Sequence, residues 1–76
     1  MKEIEKIKQQ LSDRINREIK QIISKARAEG EWLRHREIFD KYKLPVSQTT
    51  FYNSLNGKCS VDSMLKILNA LGAELI

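Results

Sequence analysis

Seventy-six residues carrying 14 basic and 10 acidic side chains, a net charge of +4, make one small domain. A chain this short buries only about 60–65% of its unfolded surface, which excludes an enzyme built around a deep cleft, and the charge fits a polyanionic partner without demanding one. One cysteine, Cys59, and one histidine, His35, exclude an internal disulfide framework and a four-ligand zinc site, and the chain shows no apolar run of signal-peptide or membrane-span length. The expected home is therefore the reducing cytoplasm. Ile and Leu dominate the apolar set, the single Pro and three Gly punctuate segment ends, and no segment alternates at period two, so the expected class is all-α.

Residues 2–29 carry Ile4, Ile7, Leu11, Ile15, Ile19, Ile22 and Ala26 at steps of three or four. The rhythm is about 3.67 residues per turn, that of a nearly straight amphipathic helix rather than a left-handed coiled coil. Such a stripe must be buried, yet a helix of this length measures about 40 Å and overhangs so small a domain. Two solutions are open. The first turns pair with a second copy of the chain, giving a homodimer through Ile4, Ile7, Leu11 and Ile15, or the helix breaks near Leu11, where Ser12 or Asp13 caps a shorter second piece. Self-association is the favoured outcome, against folding back onto its own domain. A membrane-surface role is disfavoured, because Glu3, Glu5, Asp13 and Glu18 interrupt the lysines and the apolar face has no Trp or Phe.

Gly30 ends this helix, dividing the single domain into an N-terminal amphipathic helix over 1–29 and a second region over 30–76. A second helix is expected from about Trp32 to Tyr42, with Leu33, Ile38, Phe39 and Tyr42 on its apolar side and Trp32 as a core staple. Pro45 disfavours helical geometry at Leu44 and breaks it.

Residues 46–58 read as a third helix of roughly three turns, with Ser47 as N-cap and Gly57 as the left-handed residue that ends it. Phe51 and Leu55 share one face with Ser54 beside them, whereas Thr49, Tyr52, Asn53 and Asn56 point the opposite way. Asn matches adenine edges, Thr bonds bases or meets the thymine methyl, and Tyr reaches phosphate or base. An ordinary polar surface helix is the plain alternative. Ser60 caps a fourth helix with Val61, Met64, Leu65, Ile67, Leu68 and Leu71 as packing positions, and Gly72 closes it. Residues 73–76 are expected as a short extended tail that packs or pairs with another copy.

The ordered combination of residues 46–58 with the leucine-rich segment over 60–75 resembles the Cro/repressor (Xre-type) helix-turn-helix family, a lambda-repressor-like bundle of four to five helices. The likeness covers about residues 32–76. It is nearest to a branch of small antitoxins and prophage regulators in which a Tyr-x-x-Leu recognition helix, here Tyr52 to Leu55, leads into a leucine-rich helix ending Ala-Leu-Gly, here Leu65 to Gly72. The resemblance implies that Val46, Phe51 and Leu55 anchor the recognition helix. It also implies that Ser47, Gln48, Thr49, Tyr52, Asn53 and Asn56 face the major groove. Arg34, Arg36, Asn56, Gly57 and Lys58 occupy the places where family members meet phosphates, and the physics agrees, since cations neutralise phosphate and glycine lets backbone amides approach an anion. Two departures bear on interhelix geometry and groove register: Lys43, Leu44 and Pro45 stand where a single glycine is usual, and bulky Phe39 replaces a small residue of the second helix.

Other constellations carry less. His35 between Arg34 and Arg36 is read as a solvated side chain, with phosphate contact as the alternative. Cys59 and His35 lack a third orienting group, so Cys59 is read as a small packed residue. The acids are spread along helix surfaces beside lysines, and the glycines are isolated. The expectation is a sequence-specific regulator that binds double-stranded DNA as a dimeric repressor, with no reaction, cofactor or metal. Two rivals stand beside it: an antitoxin whose long helix occludes a toxin protein while the same third helix binds DNA, and a helical interaction module that docks a partner helix on its Ile-rich stripe with no DNA role.

Overall fold

The structure, a computed structural model, describes residues 2–72, so the tail expected at residues 73–76 lies outside the described residues. Among the described residues the fold is all-α: helices α1 (Lys2–Ala28), α2 (His35–Lys41), α3 (Gln48–Ser54) and α4 (Val61–Ala70), with no strand.

Helix α1 runs 27 residues without a break. At 1.5 Å per residue it is about 40 Å long, and it sets the 43 Å long dimension of the molecule. Glu3 and Glu5 in its first turn and Lys25 and Arg27 in its last complement the helix dipole. The break considered at Leu11 to Asp13 does not occur, because Ser12 has a tertiary partner in mid-helix. It is 1% exposed, and its hydroxyl donates to the Leu55 carbonyl at 2.8 Å.

The apolar stripe of α1 lies mainly against α4 of the same chain. Ile15 and Ile19 are buried at the centre of the core, with Leu11 and Ile22 packed against it. Two of the expected dimer contacts are therefore corrected: Ile15 has no surface left to offer a second copy, and Leu11 is largely taken by its own core. Burying a side chain such as Ile15 stabilises by about 1.5–3 kcal/mol, and here the chain's own core supplies that burial. Only the first two turns overhang, with Ile4 and Ile7 each 47% exposed.

Helix α2 starts three residues later than expected. Its N-cap is Arg34, extended and without a side-chain cap bond, and Trp32 precedes it in irregular chain. Trp32 is not a core staple. It is 75% exposed with the Arg27 guanidinium 5.0 Å above its ring, a cation–π contact at the surface. Ile38 is the buried residue of α2, and Phe39 meets Phe51 with ring centroids 5.7 Å apart and a tilt of 41°.

The turn between α2 and α3 explains the missing glycine. The amide of Lys43 donates to the Asp40 carbonyl and that of Leu44 to the Phe39 carbonyl, both at 3.3 Å, the paired bonds of a Schellman ending. That ending needs a left-handed residue, and Lys43 supplies it at φ 49. The next residue, Leu44, then drops into the core. Helix α3 is two turns rather than three. The Ser47 hydroxyl accepts the Thr50 amide at its start, and Ser60 caps α4 in the same way through Ser63. Within α4, Met64, Ile67 and Leu68 are buried. Leu65, expected to pack, is 38% exposed, since it sits a full residue off the 64–68 row.

Candidate nucleic-acid interface

Helix α3 is fixed from its inner side. Phe51 and Ser54 are fully buried, Val46 and Leu55 pack against the core, and the Ser54 hydroxyl donates back to the Phe51 carbonyl at 2.5 Å. On its outer side Gln48, Thr49 and Tyr52 are exposed and Asn53 is half-buried, and Asn56 is exposed in the turn that follows. Tyr52 stands against Phe51, centroids 5.4 Å apart, so its phenol projects from a ring held by the core. Two of the residues expected to face a groove, Ser47 and Asn56, already have intramolecular bonds. The Ser47 hydroxyl is engaged as the cap and also pairs with Thr50 Oγ1 at 2.9 Å, while Asn56 Nδ2 donates weakly to the Tyr52 carbonyl at 3.4 Å. The side chains of Gln48, Thr49, Tyr52 and Asn53 make no hydrogen bond among the described residues.

The turn after α3 corrects one expected role. The Gly57 amide donates to Ser54 at 3.2 Å and the Lys58 amide to Asn53 at 2.9 Å, with Gly57 at φ 71. Gly57 serves as the left-handed closure, but these amides are engaged inside the turn and are not offered to an anion. Any phosphate contact here falls to the exposed Lys58 side chain.

Arg34 and Arg36, both exposed, share a shallow groove with His35, Tyr52 and Leu55. The start of α2 therefore lies beside Tyr52 and Leu55. Cys59 follows the turn, half-buried. Burial pushes its thiol pKa up, and the nearby Lys8 charge and a backbone hydrogen bond partly offset that. A thiol held protonated is a poor nucleophile.

The second partner of α3 is α1, which sequence reasoning missed. Ser12 Oγ and Asn16 Nδ2 both donate to the Leu55 carbonyl, at 2.8 and 3.0 Å, and Asn16 also bonds the Ser12 carbonyl. These donors clasp the carboxyl end of α3. One turn earlier, the Lys8 carbonyl and the Gln9 amide oxygen lie 3.8 Å from where a Gly57 Cβ would stand. The available signal was a polar row, Lys8, Ser12, Asn16 and Lys20, stepping by four beside the apolar stripe.

Among the described residues no group of three or more His, Cys, Asp and Glu could hold a metal ion, and no helix is long and apolar enough to cross a membrane. Comparison with protein-family models, with curated protein sequences and with solved structures returns no match.

Proposed function

We propose that this chain is a cytoplasmic, sequence-specific DNA-binding regulator of transcription, a repressor that acts as a dimer by occupying its operator and reads base edges with α3. The observation that carries the reading is the division of α3 into two sides. One side is locked by Phe51, Ser54 and the Ser12–Asn16 clasp. The other offers Gln48, Thr49, Tyr52 and Asn53, with Arg34 and Arg36 beside Tyr52 and an exposed Lys58 in the turn that follows. A short rigid helix with polar tips and flanking cations suits a major groove, where phosphate contacts position the protein and base contacts specify the sequence. The Cro/repressor resemblance points the same way. In a dimer the two recognition helices would lie about 34 Å apart and meet a palindromic site.

The antitoxin reading is favoured by one feature, the overhang of α1. Ile4 and Ile7 are the part of the stripe that the chain's own core does not use, and a toxin or a second copy of the chain would cover them.

Selection from a randomised duplex pool at low and moderate salt tests the proposal. Recovery of a palindrome with steep salt dependence is expected. Retention that is salt-sensitive but free of any motif, or no retention, would remove the sequence-reading role and leave the interaction module.

A further inference from the structure

Helix α1 crosses the carboxyl end of α3 along the row Lys8, Ser12, Asn16 and Lys20. The middle pair forms the clasp on Leu55. Beyond it, Lys20 shares a groove with Asn16, Ile19, Ile23 and His35. His35 also lines the neighbouring groove with Arg34, Arg36, Tyr52 and Leu55. The two grooves thus meet at one residue, and α1, the start of α2 and α3 form one continuous surface. Three cations stand along it, Lys20, Arg34 and Arg36, all exposed, and no acidic residue lines either groove. The nearby acid on α1, Glu18, faces Arg14 at 3.7 Å.

From the Lys8 end, which abuts the Gly57 turn, the helix rises about 18 Å to Lys20. Lys58, next in the chain to Gly57, therefore stands toward the Lys8 end of the row and Lys20 at its other end. A surface with unopposed cations beside a helix of base-reading side chains fits a phosphodiester backbone.

Resting on the DNA-binding reading above, we propose that α1 is itself part of the DNA-contacting surface, with Lys20 joining Arg34 and Arg36 to hold a backbone phosphate beside α3. The long helix then has two duties. Its stripe builds the core, and the polar row beside it both positions α3 and reaches the duplex.

The test compares the full chain with Lys20→Gln and Lys25→Gln on a selected duplex and on a random-sequence duplex, between about 50 and about 200 mM salt. Lys25 is the control because it lies in a different hollow, lined also by Glu29 and Glu31. Both lysines are exposed, so equal melting temperatures are expected. Losing one phosphate contact should lower the salt slope by about 0.9 and weaken binding about eightfold near 0.1 M salt, equally on both duplexes. Lys25→Gln should match the parent. If the parent binds and Lys20→Gln binds as well, or if Lys25→Gln loses as much, the proposal fails while the DNA-binding reading stands. If the parent binds neither duplex, both fail.

Discussion

The clasp between α1 and α3 invites a quantitative test, because one carbonyl has two side-chain donors. Ser12→Ala removes the 2.8 Å bond and leaves Asn16 in place at 3.0 Å. A net hydrogen bond is worth about 1 kcal/mol, and alanine in a helix interior recovers about 0.5 kcal/mol over serine. The single change should therefore cost only about 0.5 kcal/mol, and Asn16→Ala, which also removes the 3.0 Å bond to the Ser12 carbonyl, about 1 kcal/mol. In the double variant the Leu55 carbonyl loses both side-chain donors at the end of a helix, and an unsatisfied carbonyl costs about 1–3 kcal/mol. The double variant should lose about 2–3 kcal/mol, a coupling of about 0.5–1.5 kcal/mol. Urea unfolding of the four proteins, followed by helical circular dichroism, measures it, and for a domain of this size each kcal/mol also moves the melting temperature by about 4–8 °C. Single losses that add to within about 0.5 kcal/mol would show that the two donors do not share this carbonyl.

Three other substitutions probe separate links. Asn53→Ala should lower discrimination between selected and random duplex by about 1–3 kcal/mol, whereas Lys58→Ala should weaken both and reduce the salt slope by about 0.9; equal loss on both duplexes for Asn53→Ala would refute base reading by that residue. Lys43→Gly should stabilise the fold by about 0.5–1 kcal/mol in urea unfolding, since a left-handed lysine carries a steric cost that glycine lacks, and a destabilised variant would contradict the strain at φ 49. Ile15→Ala should cost about 2–5 kcal/mol as a core cavity, while Ile4→Ser with Ile7→Ser should leave chain stability almost unchanged and shift a sedimenting dimer to monomer. A dimer that survives the paired serine change would move the interface away from the overhang.

The sequence carried the parts of this fold that local chemistry decides. Ser47 and Ser60 are recognisable as caps because each is followed by a helical apolar pattern, and the structure shows both hydroxyls accepting the expected amides. The division of α3 into buried Phe51 and Ser54 against exposed Gln48, Thr49 and Tyr52 follows from its periodicity. What local chemistry does not decide was not legible. Residues 31–34 contain no Ser, Thr, Asp or Asn to cap an early start, so α2 begins late and Trp32 turns outward onto Arg27. Ser12 reads as a helix breaker by type, yet the Leu55 carbonyl, 43 residues away, gives it a role inside the helix. Lys43 occupies a left-handed position that residue type alone assigns to glycine. Of the candidate site, the polar side of α3 follows from its periodicity, whereas Arg34 and Arg36 enter only through the family resemblance. The α1 part was not legible because the row Lys8, Ser12, Asn16 and Lys20 has the composition of any solvated helix face, and its bonds to Leu55 span about 40 residues.

The most direct test of base reading by α3 is a backbone amide titration by NMR with the duplex recovered from selection, for which a chain of 76 residues is well suited. Shifts concentrated at Gln48, Thr49, Tyr52 and Asn53, with flanking changes at Arg34, Arg36, Lys58 and Lys20, are the predicted result. Shifts confined to the Ile4–Ile7 overhang or to the hollow around Lys25 and Tyr42, with α3 silent, would contradict it.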